Sequence, residues 1–246
     1  MNENPSDCLQ PINPDHPLCF DCHEGLPCFN QCCHDICQLL YPYDILRLKK
    51  NLCMKASDFL SAYCIIHDGE GSGLPVVSFR LDKANHQACP FLTKEGCRVY
   101  EDRPASCRIF PLARGLVRDR ATGNLQTHYA RIPDPLCKGF ESKKTNTLKE
   151  WIASQDMAIY DLMNDAMMPL ISLKNRLMPG PLQPDHKNIF ILGCYNLDDF
   201  RTRIYESGEL RGIFPDQRLA AAENSDEELL LLAMDWVRHR LFGAAL

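Results

Sequence analysis

The stretch LPCFNQCCHD, residues 26–35, sets Cys28, Cys32 and Cys33 within six positions of one another. On a helical turn Cys28 and Cys32, four apart, project from one face, while Cys33 points about 100° away. Three thiolates in so small a volume repel one another unless a cation neutralises them, and a coordinated metal does so while keeping each ligand deprotonated. Adjacent cysteines are poorly placed to bond to each other, so a local disulfide explains the pair badly.

Working outward, the 246-residue chain carries 14 cysteines, of which all but Cys194 lie at or before Cys137. A Cys-rich first part is therefore expected to give way to a mostly helical remainder. The start, MNENPSDCLQPINPDHPLC, lacks a basic segment followed by an apolar stretch, and the strongest apolar run, ELLLLAMDWV, is too short to span a bilayer. The expected location is the cytoplasm, where thiols serve metal binding, redox chemistry or plain burial more readily than structural disulfides. A net charge of −5 is ordinary for a globular chain and gives no global reason to expect nucleic acid. Lys94 to Arg131 holds eight basic against four acidic residues but no aromatic stacking platform, so an RNA interface ranks low.

A second thiol group lies in CPFLTKEGCRVYEDRPASCRIFPL, with Cys89, Cys97 and Cys107 on separate segments. Together with Cys28, Cys32 and Cys33 it supplies soft ligands from distant parts of the chain, which is how a metal fastens a fold.

Local signals outline the rest. YPYDILRLKKNL reads as a helix with Pro42 in its first turn and Ile45, Leu46 and Leu48 on its apolar side. SDFLSAYC reads as a second, capped by Ser57. LPVVSFRL and GCRVY are expected strands, and PLARGLVRD, RATGN, LQTHYARI a hairpin. Thr147 with Glu150 forms a capping box ahead of LKEWIASQ, with a longer helix following across MAIYDLMNDAMMPLISL. MPGPLQPDH is a loop, IFILGCY a short strand or a buried helical turn. Asn196 caps LDDFRTRIYES, and Ser225 with Glu228 caps DEELLLLAMDWVRHRLF. The fold class is α+β: a small Cys-rich, metal-centred core with short strands and a hairpin, then a helical C-terminal region. The expected division is residues 15–140 and 141–246.

FDCHEGLPCFNQCC, YPYDILRLK and CPFL…GCRVYEDRPASCR.FPL together resemble the YkgJ-type cysteine-cluster proteins, a zinc- or iron-chelating domain family. The resemblance extends through PLCKGF and TLKEWIASQDMAIYDLMN, about residues 20 to 170. It implies Cys22, Cys28, Cys32, Cys33, Cys89, Cys97, Cys107 and Cys137 as the ligand pool. Eight thiolates fill two four-cysteine sites, or fewer hold one iron–sulfur cluster with some left over, and sequence does not choose. The implied cofactor is zinc or iron, the latter as ions or as a cluster. The family pattern also makes Arg103, Pro104 and Arg108 structural. Tyr41 stands where relatives carry Thr or Ser, removing an N-cap hydroxyl. Cys8, Cys19, Cys53, Cys64 and Cys194 fall outside the pattern and read as buried small hydrophobes or free thiols, and Cys37, at a position that is not normally Cys in relatives, is left out of the pool. His23, His34 and His86 neighbour the pool as outer partners or solvent-facing groups. Arg98, Arg103 and Arg108 are placed in sequence to balance the excess negative charge of four thiolates on one cation.

Two function classes follow: a metal-binding protein with a structural or stored ion, and an iron-dependent enzyme. Flagellin lysine N-methylases look like distant relatives sharing such a cysteine motif, which points to the cluster and not to a substrate. GEGSG at 69–73 is not set between a strand and a helix and is followed directly by Leu74-Pro75, so it reads as a loop. His23-Glu24 lacks the second histidine of a zincin helix, and neither a nucleophile elbow nor a P-loop occurs. No catalytic residue, membrane contact or protein partner is assigned.

Overall fold

The computed structural model describes residues 9–14, 16–35, 38–119 and 122–244. In chain order the strands are β1 (Gln10–Pro11), β2 (Leu18–Cys19), β3 (Leu39–Leu40), β4 (Cys64–Asp68), β5 (Pro75–Phe79), β6 (Leu92–Thr93), β7 (Gly96–Cys97), β8 (Leu112–Arg118), β9 (Leu125–Arg131) and β10 (Thr145–Asn146). The helices are α1 (Pro42–Asn51), α2 (Ala56–Tyr63), α3 (Ala105–Ile109), α4 (Leu148–Ser154), α5 (Met157–Asp165), α6 (Met168–Leu177), α7 (Pro184–Cys194), α8 (Leu197–Phe200), α9 (Asp216–Asn224) and α10 (Asp226–Phe242). The mixture is α+β, with short strands and a helical C-terminal region, as expected. No helix among the described residues is long and apolar enough to cross a membrane.

The chain forms two compact units. The first takes the described residues of Met1–Ile36, Asp82–Cys97 and Ser106–Ala158. Its largest sheet is antiparallel, order β1-β9-β8, and the β8–β9 hairpin pairs Leu112 with Arg131 through Arg118 with Leu125, close to the predicted hairpin. Two further short pairs belong to this unit: β2 with β10, which brings remote segments side by side, and β6 with β7, a tight hairpin. The predicted strand GCRVY is shorter than expected: only Gly96–Cys97 is extended, and Tyr100–Asp102 turns into a 3-10 helix. The predicted capping box at α4 is present, Thr147 Oγ1 accepting from Glu150 N at 3.1 Å and Glu150 Oε2 accepting from Thr147 N at 2.7 Å. Phe20, 1% exposed, anchors this unit between Phe140 and Trp151, each 4.9 Å away between centroids.

The second unit takes the described residues of Cys37–Leu81, Arg98–Ala105 and Ile159–Leu246. Its sheet has the order β3-β5-β4, antiparallel throughout, with Leu40 opposite Val77 and Cys64 opposite Phe79. Helix α1 begins at Pro42 as the sequence suggests, and Ile45, Leu46 and Leu48 are buried. Tyr41 brings no hydroxyl at the right place, yet its amide still donates to Asp44 Oδ2 at 2.8 Å, one half of a capping box. Ser57 is not a cap: α2 starts at Ala56, whose amide donates to Asp198 Oδ2 at 2.6 Å, so a carboxylate remote in sequence replaces the local hydroxyl. The long helix expected across MAIYDLMNDAMMPLISL is two helices, because Pro169 offers no amide hydrogen and suits only the first turn of α6. IFILGCY belongs to α7, where Gly193 lets α10 approach so closely that a Cβ would lie 2.4 Å from Val237 Cγ2. Asn196 and Ser225 cap α8 and α10 as predicted.

The two units differ sharply in apolar content. Of the buried hydrophobic side chains among the described residues, eight belong to the first unit and 34 to the second. Burial at about 25 cal/mol per Å² is the main favourable term in folding, so the second unit is held by an ordinary core. The first holds few such side chains and carries the eight singled-out cysteines.

Candidate metal centre

Cys32 and Cys33 sit on a single 3-10 turn, Gln31–Cys33, entered through Asn30 at φ 67°. This corrects the α-helical reading of residues 28–33. Asn is one of the few residues that adopts the left-handed conformation cheaply, and it reverses the chain between Cys28 and Cys32. With three residues per turn, the Cα–Cβ bonds of neighbouring residues differ in direction by about 120°, yet the Cys32 and Cys33 thiols remain close enough to interact.

Four of the predicted residues, Cys22, Cys28, Cys32 and Cys137, line one cleft of about 30 Å³, together with Asp134 and Gly139. Cys22 follows β2, and Cys137 lies in a turn in which its amide donates to Asp134 O at 3.1 Å. The two are held in place by close backbone packing. Asp21 N donates to Gly139 O at 3.1 Å, and Lys138 N donates to Cys28 Sγ at 3.2 Å. Gly139 is required there, since a Cβ would fall 2.3 Å from Phe20 Cε2 and 2.6 Å from Asp21 O.

Of the other four residues, Cys89 and Cys97 are tied to the Cys33 segment through the backbone. The Cys33 carbonyl accepts from Cys89 N at 2.8 Å, and the neighbouring His34 bridges to Ala88. From Cys89 the chain makes one turn, Leu92 N donating to Cys89 O at 3.0 Å, and enters the β6–β7 pair, in which Cys97 lies opposite Leu92. Cys107 is in the middle of α3.

The electrostatics follow this arrangement. Cys22 is exposed as a residue, but partial dehydration of its thiol in the cleft, beside Cys32, Cys137 and Cys28, pushes its pKa up to about 11. Burial, then the charges of Cys28, Asp134 and Cys32, raises Cys137 as well. Cys89 is pushed up to about 11 by burial and by the charges of Cys97 and Cys32. The Cys33 thiol donates a hydrogen bond to Cys32, so Cys33 holds its proton tightly while Cys32 is lowered. Crowded, dehydrated thiols of this kind resist ionisation until a cation replaces their protons.

Around them, Arg108 is buried and donates to Gln155 O at 3.1 Å, whereas Arg103 stacks 3.9 Å over Tyr100 and donates to its carbonyl at 2.7 Å. His23 Nδ1 accepts from Gly25 N at 3.1 Å, and His34 Nδ1 lies 3.4 Å from His86 O. Cys64 and Cys194 are buried in the second unit, the first pushed up to about 12 by burial despite Arg80, the second raised by burial alone. Cys19 and Cys53 are exposed. Cys8 and Cys37 lie outside the described residues. Asp134 and Gly139 are site residues that the sequence reading missed; the P-D-P turn before Cys137 was the available signal for the first.

Among the described residues, no group of three or more His, Cys, Asp or Glu side chains is arranged so that it could hold a metal ion. The donor chemistry nonetheless fits a thiophilic ion. Thiolate sulfur is a ligand for zinc, at about 2.3 Å, and for iron, and the cleft lined by four of these cysteines has the size of an ion or a water.

Thiols gathered from four chain segments, in a unit otherwise poor in apolar core, are the features of a cysteine-rich metal-chelating domain. A family model named CxxCxxCC and described as "Putative zinc- or iron-chelating domain" matches residues 21–149, just over half of the chain. The chain belongs to this family. No curated protein and no solved structure matches it.

Proposed function

We propose that this protein binds zinc or iron through the thiolates of Cys22, Cys28, Cys32, Cys33, Cys89, Cys97, Cys107 and Cys137, and that the metal organises the first unit in place of a larger hydrophobic core. The observation that carries this reading is that four cysteines line one ion-sized cleft, in the unit that holds eight of the 42 buried apolar side chains among the described residues. A cleft of that size accommodates an ion and not an organic substrate, which supports a binding and structural role over an iron enzyme.

The test is purification without oxygen, followed by measurement of zinc, iron and acid-labile sulfide and a visible absorption spectrum. Near-stoichiometric zinc with no chromophore is the outcome expected of a closed structural centre. Brown protein with matching iron and sulfide keeps metal binding but moves the centre to an iron–sulfur cluster. A folded chain with no transition metal and its thiols oxidised in pairs refutes the proposal.

A further inference from the structure

We infer that the eight cysteines form two separate four-sulfur sites, Cys22, Cys28, Cys32 and Cys137 holding one cation and Cys33, Cys89, Cys97 and Cys107 the other. This rests on the proposed metal binding and adds to it the number of sites and the assignment of each ligand. The adjacent pair Cys32-Cys33 is thereby divided between two ions.

Three observations carry the division. First, one cation takes four thiolates, and the cleft selects four: Cys22, Cys28, Cys32 and Cys137 line it, and none of the others does. Second, separate backbone ties join three members of each set, and Cys107 falls to the second set as the remaining cysteine that does not line the cleft. Lys138 N on Cys28 Sγ and Asp21 N on Gly139 O join the Cys22, Cys28 and Cys137 segments, while Cys89 N on Cys33 O and the β6–β7 pair join Cys33, Cys89 and Cys97. Third, Cys32 and Cys33 are consecutive on one 3-10 turn, and only Cys32 of the two lines the cleft, so one turn feeds two neighbouring sites.

The test loads the reduced full-length chain with ¹¹³Cd under oxygen-free conditions and reads both cadmium NMR and the metal content by native mass spectrometry. Two resonances in the all-thiolate range and two cadmium ions per chain are expected, without recourse to any variant. C22S and C137S are expected to remove one resonance and one ion, C89S and C97S the other resonance and one ion. A single resonance with one ion per chain, or loss of the same signal from C22S and C97S, overturns the division while leaving metal binding intact. A wild-type chain that takes up no cadmium overturns both.

Discussion

Gly139→Ala is the substitution whose effect the structure defines most closely. The new Cβ would lie 2.3 Å from the Phe20 ring and 2.6 Å from the Asp21 carbonyl oxygen. The ring is wedged between Phe140 and Trp151, and the carbonyl belongs to the backbone, so neither yields by rotating a side chain. Merely restoring 3.0 Å to the Asp21 oxygen takes a backbone shift of about 0.4 Å. Overpacking of this kind costs about 1–3 kcal/mol, against a gain of about 0.4–1 kcal/mol from the stiffer unfolded chain. The net is destabilising, with Tm falling by roughly 2–8 °C. The same shift separates the segments bearing Cys22 and Cys137, and it exceeds the tolerance of about 0.2 Å within which metal–ligand distances are held. Thermal unfolding and chelator competition, both on the metal-loaded chain, measure the two effects. The expectation is a lower Tm and roughly tenfold weaker metal binding, about 1.4 kcal/mol, at the cleft site. An unchanged or higher Tm with unchanged affinity would refute the close-approach argument.

Asp44→Ala removes the acceptor of both Ala105 N (2.9 Å) and Tyr41 N (2.8 Å). Leaving these donors without their carboxylate costs about 2–4 kcal/mol in urea denaturation, and Asp44→Asn, which keeps one acceptor oxygen, recovers about half. At Asp226, burial opposes ionisation, but hydrogen bonds from Arg201 and Lys50 outweigh it and hold the pKa below its usual 3.8. A depressed folded pKa gives stability that is present above the unfolded pKa and lost as pH falls through the folded one. The stability difference between wild type and Asp226→Asn is therefore largest above about pH 4 and narrows below it, and a gap that widens on acidification contradicts the assignment. Chelation of the bound metal raises amide hydrogen exchange in 16–35, 82–97 and 106–119 while α7 and α10 keep their protection; equal loosening of both sets would count against a metal-organised first unit.

What the sequence determined by itself was short in range. Pro42, the Thr147 and Glu150 pair, Asn196 and Ser225 each act within four residues, through one fixed dihedral or one side-chain hydrogen bond, and the helices they start lie where predicted. The cysteine spacing likewise identified the family and proposed the ligands, because thiol chemistry is a property of the residue. Whatever depended on a remote partner was decided only by the tertiary structure. Asp198 supplied the cap that Ser57 did not, and long-range packing made IFILGCY part of a helix. Asn30 and Gly139 set which sulfurs share the cleft. Spacing along the chain records which ligands are available, but the direction in which each sulfur leaves the backbone comes from turns and close approaches between segments more than a hundred residues apart.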